Sequence, residues 1–318
     1  MVTSDVGSIV VALGGNALAP PGERASIHDQ FRHTRESLAP IVDLAALGWR
    51  IAIVHGNGPQ VGDELLRNEA GRDRVEPLPL GVLVAATAGW IGYMIQQSLQ
   101  NALRRAGIER EVLTIVTQTV VDTQAPDALR PTKPVGHELS DDLLARLRGQ
   151  GTVVGCDAGG RWRRLAPSPL PLDVVEADAV KRLVNEGKIV IAAGGGGPPV
   201  YADPRLGWEG VDAVVDKDRV AAILGTRLGS DTLLILTDVE AVYRGWGTPR
   251  QEPIRRLRAA EAERLLESEE LGVGSMRPKV EAALHFVRSG GRRAVITHLA
   301  RGRAGLEGET GTLITGDA

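Results

Sequence analysis

The feature that most limits how this chain can fold is an arrangement used three times: a short, unbroken apolar stretch that empties straight into glycine. Ser8 to Leu13 runs into Gly14-Gly15-Asn16, Arg50 to His55 into Gly56-Asn57-Gly58-Pro59-Gln60, and Ile189 to Ala193 into Gly194-Gly195-Gly196-Gly197-Pro198-Pro199. Continuous rather than alternating aliphatic residues mark strands covered on both faces, the habit of a parallel sheet. Between them the period changes. Phe31, Thr34, Leu38, Ile41, Val42 and Ala45 recur at helical spacing with Gly48 as a stop, and further helical stretches run from Val61 to Asn68 and, after the Pro77 and Pro79 break, from Val82 to Ala106. The same rhythm gives strands over Glu111 to Thr117, Val211 to Val215, Thr232 to Leu236, Ala294 to Thr297 and Thr312 to Thr315. It gives helices near Glu176 to Glu186, Asp218 to Leu228, Ala259 to Glu267 and Pro278 to Arg288. Alternating strand and helix predicts an α/β fold whose mainly parallel sheet carries helices on both sides. No fixed-period repeat is present.

From Asp122 to about Leu172 the rhythm is lost. Pro126, Pro131, Pro134, Pro167, Pro169 and Pro171, with short charged stretches, predict an inserted subdomain or lid.

Composition excludes several function classes. With 318 residues, 43% hydrophobic and 24% charged, the chain has the make-up of a globular protein. Its formal charge of -3 offers no global attraction to nucleic acid or membrane, so an anion must be bound by local geometry. No stretch reaches the ~18 unbroken apolar residues of a membrane span, and Met1 to Ser8 lacks the basic and apolar regions of a secretion signal. Cys156 is the single cysteine, so no internal disulfide forms; it reads as a small core residue rather than a nucleophile. The expected location is the cytoplasm.

In open parallel sheets ligands bind beyond the carboxyl ends of strands, where all three glycine turns stand. Glycine lets backbone amides approach an anion closely. A lone glycine turn is more often a tight connection, but three at one sheet edge favour an anion site. The spacing excludes two familiar loops: Gly56, Gly58 and Gly62 give one residue too many for a dinucleotide fingerprint, and no G-x-x-x-x-G-K-[ST] occurs.

The lysines sharpen this reading. Of 37 basic residues only Lys133, Lys181, Lys188, Lys217 and Lys279 are lysines. Lys181 and Lys188 sit on an ordinary helix and read as surface charge. Lys133 lies in Pro131-Thr132-Lys133-Pro134, Lys217 in Asp216-Lys217-Asp218 at a strand-to-helix turn, and Lys279 in Ser275-Met276-Arg277-Pro278-Lys279 at a helix start. Moving a phosphoryl group between two anions needs fixed positive charge against repulsion, and a compact ammonium with several donors supplies it. Asp218 has two readings that can hold together, capping the helix that begins beside it and holding two ammonium groups. His55 adjoins a glycine turn and is read as positional. No Ser-His-Asp set or acid pair occurs in these motifs.

Taken in order, Val10-Val11-Ala12-Leu13-Gly14-Gly15-Asn16-Ala17-Leu18, His55 to Gly62, Pro131 to Pro134, Gly194 to Pro199, Asp216-Lys217-Asp218 and Gly274-Ser275-Met276-x-Pro-Lys279 resemble the carbamate kinase pattern across nearly the whole chain. The resemblance implies the amino-acid-kinase fold: an αβα sandwich about an eight-stranded, mostly parallel sheet, one domain over 1–318 with an acceptor-binding lobe (1–225, lid at 122–172) and a nucleotide-binding lobe (226–318). It implies that carbamate lies against Gly14, Gly15, Asn16, Gly56, Asn57 and Gly58, with Arg161 in the lid. Lys133, Lys217 and Lys279 contact the transferring phosphate and Asp218 organises them. Gly195, Gly196, Thr237, Asp238, Val239, Tyr243 and Met276 serve the nucleotide, ATP or ADP, which enters with Mg²⁺ on its phosphates; no dedicated metal cage is expected. A homodimer is implied as well.

Two segments depart from the pattern. Ala158-Gly159-Gly160-Arg161-Trp162-Arg163 stands where the family has Ala-Gly-Arg-Gly-Trp-Arg, and Thr87-Ala88-Gly89 where it has Thr-Gln-Gly. Two rival activities fit the same residues: a related acyl-phosphate-forming kinase with another small carboxylate acceptor, and a catalytically silent nucleotide-binding homologue.

Overall fold

The computed structural model describes residues 6–15, 18, 26–125, 128–157, 159–268, 270–271 and 276–317. In chain order its elements begin with β1 (Ser8–Leu13), α1 (Ile27–Ser37), α2 (Ala39–Ala46), β2 (Arg50–His55), α3 (Gly58–Gly71), α4 (Leu80–Arg105) and β3 (Val112–Thr114). Next come β4 (Thr119–Val121), β5 (Pro131–Val135), α5 (Asp141–Gly149), β6 (Val154–Cys156), β7 (Trp162–Pro167), β8 (Pro171–Val174), α6 (Ala177–Asn185) and β9 (Ile189–Ile191). The remainder is β10 (Pro199–Asp203), β11 (Gly207–Gly210), α7 (Lys217–Leu228), β12 (Thr232–Thr237), β13 (Val242–Arg244), β14 (Glu252–Ile254), β15 (Arg256–Arg258), α8 (Ala259–Glu267), α9 (Met276–Arg288), β16 (Arg293–His298), α10 (Gly302–Leu306) and β17 (Thr312–Thr315).

Eight strands form the main sheet in the order β15-β17-β16-β12-β1-β2-β9-β3. Every pair is parallel except β16 with β17. The period-2 geometry of a strand sends alternate side chains to opposite faces, and both faces of this sheet are dry. Val10 and Ala12 join a core with Val180, Val220, Val280 and Phe286 from α6, α7 and α9; Ile9, Val11 and Leu13 join a second core with Leu38 between α1 and α2, Ile41 from α2, and Ile91 and Ile95 from α4. That is the expected αβα sandwich.

The segment set apart by its prolines divides between two smaller sheets. β5, β7 and β6 make a three-stranded sheet with α5, whereas β8 pairs with β4 in a four-stranded sheet ordered β11-β10-β4-β8. β5 is an edge strand, and this is why Pro131 and Pro134, which lack an N–H to donate, are tolerated in it.

Three local expectations are corrected. The helix foreseen through Phe31 and Ala45 is two, α1 and α2, with Pro40 in the first turn of the second, where its missing N–H costs nothing. Residues 211–215 form no strand; Val211 N donates to Pro199 O and Val214 N to Pro167 O, while Ala213 N turns back to Val211 O. Cys156 is exposed at the end of β6 rather than in the core, because this small sheet has too little depth to bury both its faces. No described helix is long and apolar enough to cross a membrane.

Candidate active site

Strand order brings the glycine turns together. β1, β2 and β9 are consecutive and parallel, so their carboxyl ends, and the turns that follow, lie side by side. Gly56 N donates to Leu13 O (2.9 Å), and a Cβ placed on Gly56 would stand 2.8 Å from Gly15 N and 3.2 Å from Lys217 Cδ. A Cβ on Gly194 would meet His55 Nε2 at 2.5 Å, and one on Gly195 would collide with the Asn57 amide. These glycines are required by close approach of backbone to backbone and of side chain to backbone.

Asn57 is buried and its Nδ2 donates to Thr87 Oγ1 on α4 (2.9 Å), which fixes the amide before any ligand arrives. Asn16 lies outside the described residues. His55 is fully buried, with Nδ1 3.0 Å from Gly56 O, and burial pushes its pKa down to about 4, so the ring is neutral at pH 7. It shapes the turn, as read from the sequence.

The lysines come from three elements: Lys133 from the edge strand β5, Lys217 from the first position of α7 and Lys279 from the first turn of α9. Asp218 sits between two of them, one carboxylate oxygen paired with Lys217 Nζ and Oδ2 3.3 Å from Lys279 Nζ. Asp218 and Lys279 are both buried. Lys133 Nζ is 3.1 Å from Asp216 Oδ2.

Asp216, not Asp218, caps α7: its Oδ1 accepts from Asp218 N (3.0 Å) and Arg219 N (3.3 Å). Of the two readings open for Asp218, the structure keeps the one that holds two ammonium groups. Burial opposes the charge on Asp216, but the Lys133 and Lys217 ammonium groups outweigh it and hold its carboxyl well below the usual range. Three ammonium groups and two carboxylates leave one net positive charge, beside the amino end of α7, which itself favours anions.

The chain matches the family model for the amino acid kinase family over residues 7–298. The chain belongs to the amino acid kinase family. Within it, the chain is 44% identical to the carbamate kinase of Pyrococcus horikoshii over 96% of this chain and 98% of that one, and 45% identical to that of Halobacterium salinarum over 96% and 97%. A carbamate kinase-like protein of Escherichia coli is 41% identical over 96% and 98%. The solved structure of carbamate kinase from Giardia lamblia bound to AMP-PNP superposes with a TM-score of 0.90 at 34% identity, covering 98% of this chain and 99% of that one.

In this member of the family the remaining expected site residues are spread along the same edge. Thr237 ends β12 on the far side of β1, its Oγ1 donating to Asp238 Oδ1 (3.1 Å); Val239 follows, and Tyr243 on β13 packs against Trp246 with ring centroids 5.2 Å apart. Met276 opens α9, one turn before Lys279. Gly14 N donates to Leu236 O, tying this end to the glycine turns after β1 and β2. Gly195 and Gly196 lie against Asn57 and Val215 O at the end of β9, which stands beyond β2. Arg161 pairs with Asp157 (3.0 Å) in the turn between β6 and β7, exposed, and among the described residues it makes no contact with the lysines. Lys181 and Lys188 are occupied elsewhere, with Arg227 O and with Glu111 and Glu186. Among the described residues no three His, Cys, Asp or Glu side chains gather as a metal would require.

Proposed function

We propose that this protein is a carbamate kinase, transferring a phosphoryl group reversibly between ATP and carbamate to give ADP and carbamoyl phosphate. The observation that carries the reading is the convergence of Lys133, Lys217 and Lys279 on two adjacent carboxylates next to the glycine turns, in a chain similar to carbamate kinases along its whole length.

Carbamate is already an oxyanion, so no base must take a proton before attack; alignment and charge neutralisation carry the catalysis. The acceptor rests against Gly14, Gly15, Asn16, Gly56, Asn57 and Gly58, with the pinned Asn57 amide and backbone N–H groups as donors. Lys217, whose stem passes over Gly56, and Lys279 reach the phosphoryl oxygens from one side while Lys133 approaches from the inserted sheet. Asp218 holds the first two in place, one on each of its oxygens. Thr237, Asp238, Val239, Tyr243 and Met276 take the nucleotide. Mg²⁺ comes with it on its phosphates, which fits a site whose central carboxylates are already engaged by ammonium groups. The inserted sheet acts as a lid, with Arg161 carried on it. A cytoplasmic homodimer working in the ATP-forming direction, in the breakdown of arginine or another source of carbamoyl phosphate, completes the proposal, and its support is the likeness to carbamate kinases alone.

The deciding experiment is ATP formation from ADP and carbamoyl phosphate by purified protein with Mg²⁺. Phosphorylation of a different carboxylate in an acceptor panel, with carbamoyl phosphate inert, would assign the protein to another acyl-phosphate-forming kinase. Nucleotide binding without transfer would mark a silent homologue.

A further inference from the structure

One carboxylate at the site has no part in the reaction scheme above. Asp216 divides its two oxygens between different tasks: Oδ1 accepts the amides of Asp218 and Arg219 at the start of α7, and Oδ2 accepts Lys133 Nζ at 3.1 Å. The first task belongs to the main sandwich and the second to the inserted sheet, in which Lys133 lies opposite Ala166 of β7. The chain just before Asp216 is tied to the same neighbours. Val214 N donates to Pro167 O (3.0 Å) at the end of β7, and Val215 O lies so near Gly196 that a side chain there would strike it.

Lys133 arrives already stiffened. It stands one residue after Thr132 and directly before Pro134, and a residue preceding proline is confined to extended backbone. What backbone cannot fix is the four-carbon stem, whose rotamer freedom is worth roughly 1.5–2 kcal/mol when lost. The Lys133 side chain is 36% exposed, against 13% for Lys217 and 9% for Lys279, so packing holds it least of the three. An ammonium has three donors, and one spent on Asp216 leaves two for an arriving anion.

From this geometry we infer that Asp216 is the positioning residue of Lys133, anchoring the inserted sheet's ammonium group over the amino end of α7 so that it is in place before phosphate binds. This rests on the kinase reading. Asp216 does not touch substrate; it acts through Lys133. Its charge matters to the lysine, whereas its shape suffices for the helix, since asparagine caps as well as aspartate.

That difference supplies the test. Asp216→Asn keeps the cap and removes the anion, so α7 stays formed and the circular dichroism spectrum is unchanged, while kcat/KM for ATP formation from ADP and carbamoyl phosphate falls by about 10- to 100-fold, the size of one hydrogen bond between charged groups. In a Lys133→Ala background the same change costs several-fold less than in wild type, because the group it touches is gone and only its weaker pull on Lys217 is left. In ligand-free protein Asp216→Asn also speeds amide hydrogen exchange across 131–135 and 162–167 relative to wild type. Losses that multiply in the double variant would overturn the inference, as would Asp216→Asn exchange indistinguishable from wild type. If wild-type protein makes no ATP, the kinase reading fails instead, and the exchange comparison still judges the Asp216–Lys133 contact.

Discussion

Lys279 on α9 and Asp218 on α7 meet in a place almost closed to water: Nζ is 3.3 Å from Oδ2, with 9% and 4% of the two side chains exposed. Lys217 takes the other oxygen of the same carboxylate. Removing one member of a buried charge cluster leaves its partners desolvated without compensation, at a cost on the order of 3–5 kcal/mol. Asp218→Ala is therefore expected to lose stability by about that much in denaturant titration, as well as activity. A variant as stable as wild type would mean that water reaches the two ammonium groups freely.

Lys217→Ala tests the chemistry more directly, because Asp218 keeps Lys279 as a partner and no charge is left unpaired. The lysine is at the first position of its helix, where alanine is tolerated, and its aliphatic stem lies over Gly56 without filling a core. Loss of a preorganised charge at a reacting centre costs roughly 10²–10³-fold in kcat. Turnover in a coupled ATP assay should fall by about that factor with the circular dichroism spectrum unchanged. Near-normal turnover would remove Lys217 from the reaction.

Gly62 on α3 and Gly136, after β5, press backbone to backbone: a Cβ on Gly62 would collide with Gly136 Cα and come within 3.1 Å of its carbonyl carbon. Backbone cannot swing aside as a flexible side chain does. Gly62→Ala should push the inserted sheet off α3 and break the nearby His137–Asp63 pair (2.8 Å), carrying Lys133 with it. The expected result is a rise in KM for carbamoyl phosphate of about 10-fold, or roughly 1.4 kcal/mol, with Tm lowered by only a few degrees. An unchanged KM would show that the sheet's seat on α3 has no bearing on the acceptor.

How legible this was in the sequence depended on the range of the interactions. The main sheet could be read because its strands carry unbroken aliphatic runs and its turns carry glycine, both local signals. The cluster of Lys133, Lys217, Lys279 and Asp218 could be read because lysine is scarce in this arginine-rich chain and each sits in an unusual setting. Asp216 was invisible as a partner for Lys133. Its local sequence announces only a helix cap, and the second role exists once the chain has brought β5 over α7. The packing of Gly195 against Asn57 and of Gly196 against Val215 is hidden for a related reason. A glycine run advertises an anion cradle, but which neighbour it faces follows from strand order, which adjacency in sequence does not encode. β10, β11, β13 and β14 are short strands in small sheets and β15 is a three-residue strand at the edge of the main one; all are exposed in part and lack the continuous apolar signature.

His55 gives a prediction with a definite sign. Burial lowers its folded-state pKa from 6.5 to about 4, so the folded protein prefers the neutral ring while the unfolded chain takes up a proton near pH 6.5. A depressed pKa contributes stability that is complete above the unfolded value and is lost as pH falls through the folded one. Between pH 7 and pH 4 this one group should cost the fold about 3 kcal/mol, from a shift worth ~1.4 kcal/mol per unit. Carboxylates titrate over the same range, so the comparison must be with His55→Gln, which shares them but has no imidazole. The stability difference between wild type and variant, by urea titration at each pH, should move by about 3 kcal/mol in the variant's favour on going from pH 7 to pH 4. A difference independent of pH would mean that the ring finds a partner for its charge beside Gly194, and that the turn it supports is more open to water than its complete burial implies.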